Sequence, residues 1–438
     1  MKTSFYNLIV PIEGQTAATY NTLNNTIVLM STSETNLLKK GELKPFSVTK
    51  LDKLKALGMV IENDVDEKSI LDLRRHAVQF NGNKTHIFLT LTRACNCECV
   101  YCFQKNNENQ GVLTPEIALG IRDFVTQMVE SNRSTKLQID FFGGEPLLCK
   151  DLLEKECGFY DDYAKNKNLH LSYRFYTNGT LLDQDTVAWI AEHPIKDIQV
   201  TLDGPETIHN AMRPLKNRKN SFRATVDGLK KLKEAGIPYI IRINFDKNNL
   251  THIEPLMKSL VLEGLEASSI SFYPVQNMTE ASCSHNAVCT SREVKDAMPS
   301  LWAKAEKMGF RFPTIPPAAY LYCTASCISS AVIDFKGRVY KCALLQEDPK
   351  FQVGQISKNG FSGPLPEYYR WMKRDPLNWK QCASCLLLPL CGGGCGGAGT
   401  HKNGTYEAPN CMFMDRKMLK QAIQLELARG RLHPYDLR

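Results

Sequence analysis

Cys95, Cys99 and Cys102 stand in the spacing C-x3-C-x2-C, directly after the apolar run His86-Ile87-Phe88-Leu89-Thr90-Leu91. The run predicts a buried strand, and the cysteines a loop at its end. Three thiolates this close on one loop wrap a single soft metal centre. They are also one short of closing a four-iron cluster, so one iron would keep an open position. A zinc site is the competing reading of the bare spacing. Cys97, a further thiol inside the loop, reads as a bystander, because the spacing is satisfied without it.

The chain holds 16 cysteines in 438 residues. No secretory signal pattern and no membrane-length apolar run accompanies them, so clustered C-x2-C patterns favour metal over disulfides. Iron–sulfur chemistry calls for a reducing, oxygen-poor compartment, and the expected location is the cytoplasm. The formal charge of +8 is modest, and no long Lys/Arg block asks for nucleic acid. An acidic or extended peptide partner is compatible with it.

Residues 1–84 read as a separate first unit. Tyr6 to Ile12 predicts a strand, and Thr19–Leu23 with Thr26–Met30 a hairpin about Asn24-Asn25. A start at Ser33/Glu34 leads into a short helix through Leu37-Leu38. Val48 to Leu57 carries Leu51, Leu54 and Leu57 at helical spacing and stops at Gly58. Met59-Val60-Ile61 reads as a wing strand, and Glu67 to Phe80 as a linking helix. Strands and then short helices are the pattern of a winged-helix-like unit; a purely structural cap on the central domain is the alternative.

From about residue 85 strands and helices alternate: strand 86–91, a helix from N-cap Thr114 and Pro115 through Val129, strand 136–142, helix 151–165, strand 171–177, helix 183–192, strand 197–202, helix 221–235, strand 238–245, helix 252–263 and strand 268–274. Such alternation implies parallel strands joined by crossovers. Residues 275–320 read as irregular, with Cys283, His285 and Cys289 in a loop and the thiols free; Cys149 and Cys157 read as structural thiols.

Three strand ends carry polar chemistry. Gly143-Gly144-Glu145-Pro146 offers bare backbone for close approach to a ligand and a carboxylate for a cationic amino group. Thr177-Asn178-Gly179-Thr180 ends the next strand. Thr201-Leu202-Asp203-Gly204-Pro205 ends the one after, with His209 and Arg213 beyond. Side chains at the C-terminal ends of parallel strands face the active end of such sheets. Arg242 and Asn244 alternate with Ile241 and Ile243 and either line the cavity or face solvent.

Cysteines crowd again from Cys323. Cys327 and Cys342 flank Val332 to Tyr340, which predicts a hairpin turning at Lys336-Gly337 and so brings the two thiols together. Cys382, Cys385, Cys391 and Cys395 then run C-x2-C-x5-C-x3-C ahead of Cys411, and Gly392-Gly393-Gly394-Cys395-Gly396-Gly397 lets backbone wrap closely. A zinc ribbon is the alternative.

With these residues in view, the chain resembles the radical S-adenosylmethionine (SAM) enzymes, whose cysteine loop carries an aromatic before and after its last Cys, as Tyr101 and Phe103 do here. The C-terminal series resembles the seven-cysteine SPASM extension. The resemblance implies an α/β fold: a partial (β/α)6 radical SAM barrel over 85–315, with an N-terminal winged-helix-like domain (1–84) and a C-terminal cysteine-rich SPASM domain (316–438). It implies three [4Fe-4S] clusters. Cys95, Cys99 and Cys102 would hold the one that chelates SAM; Cys323, Cys327, Cys342 and Cys395 would hold the first auxiliary cluster, and Cys382, Cys385, Cys391 and Cys411 the second. Tyr101, Gly143, Gly144, Glu145, Asn178, Thr201 and Arg213 are the implied SAM contacts. In the family, reductive cleavage of SAM gives a 5′-deoxyadenosyl radical that abstracts hydrogen from an unactivated carbon.

Residues 1–84 are similar in layout to the element by which maturases of ribosomally made peptides bind a leader peptide as an added strand. The reaction expected is therefore a crosslink (thioether, C–C or ether) in a precursor peptide, with a reductant such as flavodoxin or ferredoxin as second partner. Anaerobic sulfatase maturation to formylglycine is a weaker match, because the Asp that follows the cysteine of the G-x4-C segment in those enzymes is Ala343 here. Epimerisation and a non-catalytic electron-transfer scaffold complete the alternatives. No residue is singled out as acid or base; Cys283 or Cys289 would be the hydrogen donor if the reaction were epimerisation.

Overall fold

The computed structural model describes all residues except 13, 105–110, 267, 277–286, 316–322, 347, 412–413, 431–433 and 437–438. Cys283 and His285 lie outside the described residues.

The N-terminal unit comprises β1 (Lys2–Thr3), β2 (Asn7–Pro11), β3 (Thr16–Asn21), β4 (Thr26–Ser31), α1 (Thr32–Lys40), α2 (Val48–Ala56), β5 (Val60–Ile61) and α3 (Glu67–Gln79). β2, β3 and β4 form an antiparallel meander, with Leu8 opposite Tyr20 and Ala18 opposite Leu29. β3 ends at Asn21, so the turn is wider than Asn24-Asn25 alone. α1 is capped by Ser31 and Glu34 in a reciprocal box, ahead of the expected Ser33 start. β5, the stretch expected to be a wing strand, pairs antiparallel with β1, Lys2 opposite Ile61.

Strand alternation gives this sheet two apolar faces. Val28 and Met30 pack with Leu38, Leu54 and Met59 from the unit itself. Tyr6, Leu8, Tyr20 and Ile27 share a core with Leu386, Leu388, Leu419 and Ile423 from the far end of the chain. Thr22 donates its hydroxyl to the Leu386 carbonyl, and Gln424 donates to the Pro11 carbonyl at 2.7 Å.

Six parallel strands come next in sequence order: β6 (Lys84–Thr90), β7 (Lys136–Phe142), β8 (His170–Thr177), β9 (Ile195–Thr201), β10 (Tyr239–Phe245) and β11 (Ser269–Pro274). Between them lie α4 (Pro115–Ser131), α5 (Lys150–Lys167), α6 (Gln184–Ala191), α7 (Glu206–Met212), α8 (Ser221–Glu234) and α9 (Ile253–Leu262). Thr114 caps α4 with Pro115 in its first turn, as its sequence predicts. Leu137, Ile139 and Phe141 of β7 point into the helix-covered core.

The opposite face of the sheet is polar. Asp140 meets His86 at 3.2 Å, Arg174 grips Asp197 with two bonds of 2.5 and 2.6 Å, and Lys84 and Lys196 share the Gln138 carbonyl at 2.6 and 3.1 Å. Buried polar groups need such partners.

Two features depart from expectation. The stretch expected to be irregular after residue 275 contains α10 (Ser291–Lys307), started by a Thr290/Glu293 capping box. Pro299 inside it masks the helical pattern in the sequence. Second, the parallel sheet does not end at β6. β12 (Ser330–Ile333) pairs with it in parallel, Ser330 opposite His86, and β13 (Arg338–Tyr340), β14 (Gln352–Ser357) and β15 (Gly360–Ser362) extend the sheet antiparallel to ten strands. This covers an edge whose backbone groups would otherwise lack partners.

The remaining elements are α11 (Pro366–Lys373), α12 (Lys380–Ala383), α13 (Leu388–Cys391), α14 (Gly396–Asn403), α15 (Arg416–Ala428) and β16 (Tyr435–Asp436). β16 returns to the N-terminal sheet and pairs in parallel with β4, Tyr435 opposite Val28. Among the described residues no helix is long and apolar enough to cross a membrane.

Candidate active site

The cysteine loop leaves the end of β6 and lies over the sheet. Cys95, Cys97, Cys99, Tyr101 and Cys102 pack together with Leu215. Hydrogen bonding from Cys97 holds the Cys95 and Cys99 thiols down at about 7, and the Arg213 charge acts in the same direction; burial pushes Cys102 up to about 12. The thiol read as a bystander is therefore inside the group: the Cys97 N–H donates to Cys95 Sγ at 3.4 Å.

Gly143 and Gly144 serve this loop directly. A Cβ on Gly144 would stand 2.1 Å from the Ala94 carbonyl oxygen, and one on Gly143 2.5 Å from that of Thr92. The Gly144 N–H donates to the Thr92 carbonyl at 3.0 Å and the Glu145 N–H to that of Ala94 at 2.8 Å. The close approach expected toward a ligand is thus an approach to the cysteine-loop backbone.

Glu145 is fully buried. It accepts from Thr177 Oγ1 at 2.8 Å, from the Asn178 N–H at 2.8 Å and from the Leu147 N–H at 3.1 Å. Burial and then the Cys95 charge push its carboxyl up to about 7, against these donors. Asn178 completes the link, donating from Nδ2 to Asn96 Oδ1 at 2.7 Å and approaching Cys95 Sγ at 3.9 Å.

Tyr101 and Arg213 are more tightly engaged within the protein than their expected role as direct contacts implies. Tyr101 donates its hydroxyl to Asp203; Arg213 Nη1 donates to the Tyr101 oxygen at 2.5 Å and stands 3.5 Å from Asp203. Asp203 also accepts the Asn244 N–H at 2.8 Å, and Asn244 Nδ2 reaches Tyr101 at 3.1 Å. Burial pushes the Asp203 carboxyl up and the His209 imidazole well down, leaving His209 as a neutral acceptor for the Asp203 N–H at 3.2 Å. The sequence pattern assigns Asp203 no role of its own; its place at a strand end beside Gly204 is the available signal.

A cavity of about 440 Å³ opens beneath the loop, lined among others by Cys102, Gly143, Asn178, Thr201, Arg242 and Asn244. Arg242 and Asn244 therefore line it rather than face solvent. Arg242 stacks on Tyr273 at 4.0 Å and donates to Asn244 Oδ1 at 2.8 Å.

The C-terminal cysteines fall into two electrostatic groups. Cys342 feels Cys395 and Cys323; Cys391 feels Cys411 and Cys385, and Cys382 feels Cys411, Cys391 and Cys385. Cys327 adjoins the first group through Lys341, a buried cation that donates to the Cys327 carbonyl at 2.7 Å. Burial pulls Lys341 down to about 8, and Cys327 and Cys323 oppose that. Cys289 and Cys157 are buried, and Cys149 is half-buried.

The donor chemistry fits iron–sulfur clusters. Among the described residues no three His, Cys, Asp or Glu side chains converge closely enough for one bare ion. Cysteine thiolates in sets of three and four are the donor set of a four-iron cluster, each sulfur binding a separate corner.

Residues 89–260 match the radical SAM superfamily. An uncharacterized protein of Methanocaldococcus jannaschii is 34% identical over 189 residues, which is 43% of this chain and 61% of that protein. The match thus spans less than two thirds of that relative. The cysteine-type anaerobic sulfatase-maturating enzyme of Clostridium novyi is 24% identical, covering 69% of this chain and 84% of its own. Mycofactocin maturase MftC of Mycolicibacterium smegmatis is 26% identical, covering 75% and 82%.

Among solved structures, native anSMEcpe with bound AdoMet and Cp18Cys peptide superposes with a TM-score of 0.62 at 17% identity, over 78% of this chain and 97% of that one. Streptococcus suis SuiB bound to precursor peptide SuiA gives 0.54 at 15% identity, over 93% and 98%. These similarities establish the fold. The cysteine loop and strands β7 to β10 beneath it thus fall within a stretch, 89–260, that matches the radical SAM superfamily, and proteins named as maturases are among the relatives.

Proposed function

We propose that this chain is a radical SAM/SPASM peptide maturase that installs an intramolecular crosslink, thioether, C–C or ether, in a ribosomally synthesised precursor peptide. The observation that carries this reading is the N-terminal unit. A structural match over 93% of the chain, as with SuiB, cannot leave out 84 of 438 residues, whereas the 78% match to the sulfatase maturase can. The solved SuiB structure holds a precursor peptide. Here the unit's β4 edge accepts an added strand, at present the chain's own Tyr435–Asp436. A leader segment would add at the same edge, raising the local concentration of the core peptide at the cavity.

In this reading residues 1–84 recognise the leader, 85–315 form the catalytic partial barrel and 316–438 the SPASM domain. Cys95, Cys99 and Cys102 hold the SAM-binding cluster, and Glu145 meets the SAM ammonium. Asn178 and Thr201 border the same cavity, while Tyr101 and Arg213 brace the loop through Asp203. The two C-terminal cysteine groups hold one auxiliary cluster each. When bound, SAM and its cluster supply a carbon radical able to remove hydrogen from an unactivated carbon. Closing a bond then removes a second hydrogen, as a proton and an electron; the auxiliary clusters accept that electron, and a flavodoxin- or ferredoxin-type protein exchanges it. Ala343 in place of a carboxylate disfavours formylglycine formation, which needs a base there.

The test is anaerobic turnover with a candidate precursor peptide, such as the product of a small reading frame beside this gene. Release of 5′-deoxyadenosine and a peptide lighter by two hydrogens supports crosslinking. An unchanged peptide mass with turnover indicates epimerisation. No SAM cleavage in a fully iron-loaded sample would leave only the electron-transfer scaffold.

A further inference from the structure

Arg374, just after α11, is 4% exposed, and its hydrogen bonds among the described residues all go to backbone carbonyls rather than carboxylates. Its guanidinium is held by neutral groups instead. Nε donates to the Tyr406 carbonyl at 2.9 Å, Nη2 to that of Gly394 at 3.1 Å and Nη1 to that of Gly392 at 3.5 Å. The indole of Trp379 lies 4.9 Å from it. Taking a cation out of water is costly unless an opposite charge accompanies it, and three carbonyls with one ring offset only part of that cost.

The missing counter-charge lies in the cysteines. Gly392 and Gly394 sit between Cys391 and Cys395, which fall into different groups. The guanidinium bonds backbone at both ends of that stretch: the Gly392 carbonyl directly follows Cys391, and the Gly394 carbonyl directly precedes Cys395. The α11 end and the Gly392–Gly394 backbone thus hold one cation between two sulfur sets.

We infer that Arg374 is the shared counter-cation of the two C-terminal iron–sulfur sites, tuning both together and screening one from the other. This rests on reading those eight cysteines as cluster ligands. A thiolate-ligated cluster becomes more negative on reduction, so a fixed cation beside it favours the reduced form and raises its potential. One cation between two clusters raises both, which suits a pair that must accept an electron in turn.

The experiment is EPR-monitored redox titration of the full-length, anaerobically purified holoprotein, beside Arg374→Gln and Arg374→Lys. With Gln, both C-terminal midpoint potentials should fall while the cluster of the Cys95 loop stays put; with Lys, both should remain near the parent values. A shift of one C-terminal cluster alone, of neither, or of all three alike would overturn the inference. Should the Gln variant load less iron, the Lys variant decides: full loading at parental potentials supports the shared charge, and iron loss with Lys removes it. Iron and sulfide counts on the parent separate the two levels of the claim. On the order of four irons per chain would bring down the cluster reading and this inference with it, whereas on the order of twelve with unmoved potentials would overturn the inference alone.

Discussion

Thr177 donates its hydroxyl to Glu145 at 2.8 Å, and the next residue's backbone N–H, that of Asn178, donates to the other carboxylate oxygen at 2.8 Å. Two consecutive residues at the end of β8 thus fix a buried acid that begins the turn after β7. The Asn178 side chain turns toward Asn96 and Cys95. One strand end therefore ties the candidate SAM-ammonium acceptor to the cysteine loop.

Titration of Glu145 should be visible twice. Its carboxyl is raised from 4.5 to about 7 by burial. The sign is that of a raised acid: the fold favours the protonated form, so this contribution is present below about pH 4.5 and lost as pH rises through about 7, amounting to roughly 3 kcal/mol in the unliganded protein. SAM binding should run the other way, strengthening between about pH 6 and 8 as the carboxylate forms to meet the ammonium. Calorimetric titration of SAM across that range should show this rise, and Glu145→Gln should bind at least about tenfold more weakly with the slope gone. A flat profile in the parent would remove Glu145 from the site.

Replacing Cys95, Cys99 and Cys102 together with Ala should abolish SAM cleavage and remove about four irons per chain, leaving the C-terminal iron in place. Iron and sulfide assays with EPR decide this. Loss of all iron would contradict the division of the cysteines into three sites.

Gly144→Ala should be more damaging than its size suggests. The new methyl would meet the Ala94 carbonyl oxygen at 2.1 Å, and that backbone also accepts the Glu145 N–H. Stability should fall by about 2–4 kcal/mol in denaturant unfolding, with incomplete iron loading of the cysteine loop. Gly158→Ala is the control without collision, since nothing lies within 4 Å of its added Cβ and its φ, like that of Gly144, is not left-handed.

Two substitutions in the Tyr101–Asp203–Arg213 group should differ in size. Tyr101→Phe removes hydrogen bonds yet leaves Asp203 and Arg213 facing each other at 3.5 Å, and should cost about 1–2 kcal/mol. Asp203→Asn strands the Arg213 charge in a buried site and should cost about 3–5 kcal/mol. Equal effects in chemical denaturation would mean that Arg213 does not depend on Asp203.

Deleting residues from Pro434 onward should free the β4 edge. Backbone amides around Val28 and Leu29 should lose protection in hydrogen exchange, and the leader of the true precursor peptide should bind more tightly than to the full chain. Unchanged protection would mean that Tyr435–Asp436 does not hold that edge in solution.

The sequence by itself determined the features that are local. Cys95, Cys99 and Cys102 lie on one loop, so their spacing is legible without the fold; β strands and their crossover helices announce themselves through period and caps, as Thr114-Pro115 did for α4. The helix that starts at the Thr290/Glu293 capping box was not read, because Pro299 interrupts its pattern. Tertiary structure alone decided which distant groups meet. It set Gly144 against Ala94, tied Arg213 to Asp203 and Tyr101, laid β12 on β6, and brought the chain's last described strand to β4. It also set Arg374 on the Gly392 and Gly394 carbonyls, between Cys391 and Cys395. Such pairings depend on burial and on charge shared across long sequence separations, and neither leaves a periodic mark in the chain.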